Sequence, residues 1–233
     1  MKDAHPYPVV RIGVIGGGQL GRMLVMAAQQ LGCETVVLDP QPGSPAGQLA
    51  GHQIVGSFQE AGPLRTLVEA VDVTTFDIES INAEALIALE AEGHKIFPSP
   101  SLLATIQDKL TQKQFLADAG IPTSPFQDMP EPDADAFAAF GYPLVQKTRR
   151  GGYDGRGVAV MRSESDFENR LECPGLVEKF VPAQMELAVM VARGQDKSIS
   201  IFPVVEMGFH GAENILDKLS APARVSPEIT AAA

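Results

Sequence analysis

The sequence has 233 residues, 29 acidic against 18 basic, and a formal net charge of −11. Its 45% apolar content excludes disordered and fibrous classes, and no run approaches the roughly 20 uninterrupted apolar residues of a membrane helix. The acidic balance argues against non-specific nucleic-acid binding, but leaves room for small anionic ligands where basic residues cluster.

Residues 1–8 contain no apolar stretch of the secretory type, and Cys33 and Cys173 match no zinc spacing. A cytoplasmic protein with two reduced thiols is expected. A short apolar run over 11–15 reads as a buried strand ending in glycines. Leu20, Met23, Leu24, Ala27 and Leu31 then recur at helical spacing. Strands are predicted over 35–38, 53–55, 71–76 and 95–97. A helix is expected around Leu64, Leu67 and Val68, and another from Asn82 to near Gly93. Strand and helix alternating with short links means a parallel sheet with helices on its faces.

Pro98-Ser99-Pro100 breaks the pattern and sets a domain boundary at 100/101. A helix over 107–119 and a proline-rich link come next. Beyond them lie strands over 143–147, 158–161 and 176–180, a short helix over 164–171, and β-rich segments over 186–192 and 198–206. Residues 227–233 read as a helix start.

Gly16-Gly17-Gly18-Gln19-Leu20-Gly21 follows a strand and opens a helix, and Asp39 ends the next strand. That is a G-x-G-x-x-G dinucleotide fingerprint, with an acid placed for a ribose. An NAD-linked oxidoreductase is therefore one reading. Gln19 and Arg22 at the helix start, and a second glycine loop downstream, favour another ligand.

The second loop is the more informative. A strand delivers Lys147, four glycines (Gly151, Gly152, Gly155, Gly157) follow, and the chain returns at Val158. Lys147, Arg149, Arg150 and Arg156 make it basic in an acidic chain, and Lys109 and Lys113 precede it. Backbone N–H groups and cations in such a hairpin suit a nucleotide triphosphate. It is not a Walker A loop, which requires G-x-x-x-x-G-K-[ST].

Five motifs occur in order: GGGQLGRML at 16–24, TFDIE at 75–79, QDKLTQK at 107–113, GIPT at 120–123 and GGYDGRG at 151–157. EKFV at 178–181 follows, then Glu186 and Ala192-Arg193-Gly194. Together they closely resemble the N5-carboxyaminoimidazole ribonucleotide synthases, ATP-grasp carboxylases of purine biosynthesis. The resemblance implies an α/β chain: a Rossmann-like pre-ATP-grasp domain over 1–100, then an ATP-grasp α+β domain over 101–233 that is cut short at its C-terminus. The nucleotide lid would fall within 101–182, and an incomplete second lobe would start at 183. It implies ATP-dependent carboxylation of 5-aminoimidazole ribonucleotide by bicarbonate, with ATP and Mg2+, in a cytoplasmic homodimer free of nucleic acid and membrane.

The resemblance also implies residue roles. Lys109 and Lys147 would hold ATP phosphates. Gly152, Tyr153, Asp154, Gly155, Arg156, Gly157 and Val158 would form the loop over ATP. Glu178, Lys179, Phe180 and Val181 would hold the adenine, Glu186 the ribose hydroxyls, and His210 would lie near the nucleotide. Lys147, Tyr153, Asp154 and Arg156 form the catalytic group. Gln19, Leu20, Asp77 and Glu79, with Tyr153 and Asp154, would meet the ribonucleotide, and the two acids would share one side of an extended strand. The family's metal ligands lie beyond Ala233, and neither Glu206 nor Glu213 is assigned to metal. A non-catalytic nucleotide-binding fragment is therefore the other alternative.

Overall fold

The computed structural model describes residues 9–152, 157–210 and 215–233, with backbone alone for His210 and Ile215. The chain divides into two compact units, 1–121 and 122–233. This division falls later than the 100/101 boundary read from the prolines.

The first unit carries β1 (Arg11–Ile15), α1 (Gln19–Gln30), β2 (Glu34–Asp39), β3 (His52–Val55), α2 (Ala61–Ala70), β4 (Val73–Phe76), α3 (Ala83–Ala91), α4 (Pro100–Gln107) and α5 (Lys109–Asp118). Its sheet is parallel, in the order β3-β2-β1-β4. Successive strand residues point to opposite faces, so one strand feeds two cores. Ile15 and Leu38 pack with Leu64, Leu67, Leu86 and Leu103 from the helices on one face. Val14 and Val37 pack with Val25 of α1 and Ala46 on the other.

Three expectations need correction. The helix read from Leu20 to Leu31 forms, but Leu20, Met23, Leu24 and Leu31 are exposed, and α1 buries Gly21, Val25 and Ala28 instead. A Cβ on Gly21 would collide with the Gly16 carbonyl, so the sheet-facing side needs small residues that a hydrophobicity pattern undercounts. The strand over 95–97 is only a bridge between Thr74 and Ile96, because Pro98 has no N–H to extend the ladder. The helix over 107–119 begins two residues later, as α5, and Gln107 instead ends α4, a helix not expected. Asp108 leaves helical geometry, and its side chain accepts from the N–H groups of Leu110 and Thr111, capping α5.

The second unit begins with β5 (Phe126–Met129) and α6 (Ala134–Phe140), neither expected in the proline-rich link. β6 (Leu144–Thr148), β7 (Val158–Met161), a 3-10 turn (Glu164–Asn169) and β8 (Gly175–Lys179) follow. These strands make an antiparallel sheet in the order β5-β8-β6-β7. Leu144, Met161, Val177 and Met129 bury one face of it against Phe137 of α6. The Phe137 and Phe167 rings meet edge to face at 5.3 Å. Then come β9 (Glu186–Ala188), β10 (Val191–Arg193), β11 (Ile199–Ile201), β12 (Val205–His210), β13 (Ile215–Ser220) and α7 (Pro227–Ala232). They form a β10–β11 pair and a three-stranded sheet in the order β13-β12-β9.

Candidate active site

In the first unit, chemistry gathers at the carboxyl ends of β1, β2 and β4, where open parallel sheets bind ligands. Gly16 has φ +106, and a Cβ there would run into Asp77 Oδ1. Gly17 donates its N–H to Asp39 Oδ2 at 2.8 Å, and Gln41 donates to Asp39 Oδ1 at 2.8 Å. Both Asp39 oxygens are therefore committed to the loop. The Asp77 carboxyl packs against Gly16 at the head of this loop. The loop amide and the acid of the dinucleotide fingerprint are thus satisfied internally, and a carboxylate already sits where a pyrophosphate would bind. This arrangement does not suit NAD.

Asp77 Oδ1 is enclosed and has no hydrogen-bond partner among the described residues. Burial pushes the Asp77 carboxyl above its ordinary value, backbone hydrogen bonds oppose this, and the Asp39 charge adds to the rise. β4 stops at Phe76, so Asp77 and Glu79 do not share one side of an extended strand. Asp77 turns in against Gly16, whereas Glu79 is exposed and offers its carbonyl to Gln107 Nε2 at 2.6 Å. Gln19 and Leu20 are exposed at the start of α1, whose cap residue Gly18 supplies no side-chain bond. Lys109, half-buried, opens α5.

In the second unit the candidate side chains Lys147 and Glu178 lie on the sheet face opposite the Phe137 core, whereas Lys179 pairs with Leu144 on the core face. Register pairs Val145 with Glu178 and Val160, and Lys147 with Leu176 and Val158. Directly paired residues share a face, so Lys147 and Glu178 lie together beside Val158 and Val160. The two valines are 39% and 46% exposed, an uncovered apolar strip beside a buried charge pair. Lys147 Nζ pairs with Glu178 Oε1, and Ser124 Oγ donates to Glu178 Oε2 at 3.1 Å. Glu178 is only 7% exposed. Such a carboxylate requires these partners, because an uncompensated buried charge is strongly destabilising.

Lys179 donates to the carbonyls of Phe140 and Gly141 at 2.6 and 2.8 Å, so its side chain closes the end of α6. The backbone N–H groups of Lys179 and Phe180 are taken by Pro125 and Pro143 carbonyls, and Val181 beyond them is exposed. Glu186 lies exposed on β9. Gly152 and Gly157 bracket the glycine loop with φ +95 and +74. Tyr153, Asp154, Gly155 and Arg156, the side chain of His210, and Glu213 lie outside the described residues. Sequence reading missed Ser124, which no motif marked, and the Asp39–Gly17 bond, which only the fold creates. No three His, Cys, Asp or Glu side chains gather as a metal site among the described residues. A cavity of about 570 Å³ beside Arg11, Cys33 and His52 lies at the amino ends of the first sheet's strands, away from these residues.

Residues 9–107 match the ribonucleotide synthetase preATP-grasp domain, and residues 114–233 the ATP-grasp domain. The chain is 40% identical to the N5-carboxyaminoimidazole ribonucleotide synthase of Synechococcus elongatus, covering 94% of this chain and 56% of that protein. The Brucella melitensis synthase is 38% identical, over 97% of this chain and 64% of its own length. The crystal structure of the Thermotoga maritima synthetase superposes with a TM-score of 0.87 at 42% identity, covering 96% of this chain and 58% of that one. A synthase structure from Aspergillus clavatus in complex with ADP and 5-aminoimidazole ribonucleotide has a TM-score of 0.86 at 35% identity, covering 96% of this chain and 60% of that one. The sequence resemblance is borne out, and the chain spans between about half and two thirds of these relatives' lengths.

Proposed function

The chain belongs to the ATP-grasp family, and from that premise we propose that it carries the nucleotide and ribonucleotide sites of an N5-carboxyaminoimidazole ribonucleotide synthase. The reaction is ATP-dependent carboxylation of 5-aminoimidazole ribonucleotide by bicarbonate, yielding ADP and phosphate. The Lys147–Glu178 pair, on the sheet face away from the Phe137 core, carries the nucleotide half of this reading. Val158 and Val160 offer apolar surface to a base, while Lys147 offers its charge to phosphate oxygens at the strand end. The exposed Val181 is next along the chain for the adenine edge. Lys109, Glu186, His210 and the loop residues 152–158 are assigned to the nucleotide on the motif match alone.

The ATP γ-phosphoryl group passes to a bicarbonate oxygen, releasing ADP. The exocyclic amine of the ribonucleotide then bonds to the carboxyl carbon, of carboxyphosphate or of carbon dioxide released from it; the carbon–oxygen bond to phosphate breaks, and phosphate leaves with the proton the amine gives up. Phosphoryl transfer depends on positioning and charge compensation, which Lys147 and loop amides supply. Gln19 and Leu20, exposed at the start of α1, and Asp77 and Glu79 are assigned to the ribonucleotide on the motif match alone. Magnesium would supply charge compensation for the nucleotide phosphates. The described residues hold no ligand set for it, and no step here is routed through it.

A cytoplasmic homodimer belongs to the same proposal. No helix among the described residues is long and apolar enough to cross a membrane. Sedimentation of the chain checks the dimer. The reaction itself is tested by phosphate release with ATP, bicarbonate and 5-aminoimidazole ribonucleotide, omitting each in turn. Release that depends on all three supports the proposal, and release indifferent to the ribonucleotide removes that substrate. Binding of NAD in preference to MgATP would overturn the nucleotide assignment.

A further inference from the structure

Thr148 ends β6 one residue after Lys147, and strand alternation puts its side chain on the face opposite the lysine. Its Oγ1 is enclosed and has no hydrogen-bond partner among the described residues. Its N–H donates to the Gly157 carbonyl at 2.9 Å. A Cβ on Gly157 would lie 2.6 Å from Thr148 Oγ1 and 3.3 Å from Gly152 Cα. Thr148 therefore wedges between the two described feet of the glycine loop. Buried hydroxyls normally find partners, so an orphan at this point calls for a reason.

Resting on the ATP reading, we infer that Thr148 is a positioning residue whose hydroxyl gains its partner only when nucleotide is bound. In a planar trans peptide the N–H and C=O point in opposite directions. An N–H of Gly151 or Gly152 that turns toward a phosphate on the Lys147 face swings the carbonyl of the residue before it toward the opposite face, where Thr148 Oγ1 waits. These two glycines have φ of +69 and +95, and glycine reorients its peptide at little steric cost. The Thr148 O–H then donates to that carbonyl and holds the N–H on the phosphate. Without nucleotide the hydroxyl has no partner among the described residues, and with nucleotide bound it gains one.

Thr148→Val keeps the shape and removes the hydroxyl. It should leave ligand-free thermal stability equal to or above the parent's, while weakening MgATP binding about tenfold, the scale of one net hydrogen bond. Thr148→Ser should bind MgATP like the parent. A purely structural role would move both readouts the same way. Thr148→Ala set against Thr148→Ser isolates the hydroxyl should the valine variant fold poorly, and equal affinities in that pair overturn the inference. So does parental MgATP affinity in Thr148→Val, leaving the ATP reading intact. No MgATP binding by the parent overturns the ATP reading and the inference with it.

Discussion

Lys147 and Glu178 satisfy one another in the ligand-free chain, so a nucleotide phosphate must compete with a buried carboxylate for the lysine. Lys147→Ala should weaken MgATP binding by the roughly 1.5–3 kcal/mol of a charged hydrogen bond, read by calorimetric titration. Glu178→Gln keeps an acceptor for the Ser124 hydroxyl but frees the lysine. It should therefore lose far less phosphate affinity than Lys147→Ala, and an equal loss would place Glu178 on the nucleotide itself. Asp77 raises a different issue, since burial holds its carboxyl above the usual 3.8. The native state then keeps this proton to higher pH than the unfolded chain. Its favourable contribution is complete below the unfolded value and fades as pH rises through the native one. Asp77→Asn removes that dependence. The variant's melting temperature relative to the parent should be most favourable at neutral pH and should decline on acidification toward pH 4. A difference independent of pH would mean that the carboxyl pays no burial penalty.

At the scale of elements, the parallel sheet was legible because its strands are short apolar runs broken by glycine and aspartate. Asn82 also did as its type suggests, accepting from the Ala85 N–H to cap α3. The misreadings have local causes. Pro125, Pro130 and Pro132 obscured β5 and α6, although Asp133 caps α6 at 2.6 Å and Gly141 ends it with φ +88. Asp108 reads as an ordinary helix residue until its side chain is seen on two backbone amides. The first glycine motif shows why spacing alone misleads: Gly16 and Gly21 are glycine because Asp77 and the Gly16 carbonyl approach them closely. Gly16→Ala meets Asp77 at a positive φ, whereas Gly18 has φ −71 and nothing within 4 Å of an added Cβ. Chemical denaturation should find Gly16→Ala destabilised by about 1–2 kcal/mol or more from backbone strain alone, and Gly18→Ala within about 0.5 kcal/mol of the parent. Equal effects would mean that the loop does not hold this conformation.

Over the whole molecule, the two compact units differ in how completely they cover their apolar surface. The first unit buries both faces of its sheet, in separate clusters around Ile15 and Val14. The second buries one face of β5-β8-β6-β7, yet its β10–β11 pair is exposed throughout. Register sets Val191 against Ile201 and Arg193 against Ile199, so the apolar side chains share one face and Ala192 and Ser200 take the other. Val191, Ile199 and Ile201 are 53%, 60% and 70% exposed, and Met190 and Phe202, one position further along each strand, are exposed as well. A two-stranded ribbon with an apolar face and open edges is a template for association, since pairing satisfies backbone groups and removes apolar area from water together. The net charge of −11 opposes association at long range but is screened beyond about 8 Å at physiological salt. The chain should therefore self-associate with rising concentration, and more so as salt is added. Ile201→Lys puts a charge in the middle of that face at a fully exposed strand position, where substitutions typically change stability by less than about 0.5 kcal/mol. Light scattering across a concentration series should show the variant remaining smaller than the parent at the same melting temperature. Unchanged association in Ile201→Lys would move the sticky surface elsewhere, and the exposed Leu20, Met23 and Leu31 of α1 would be the next residues to charge.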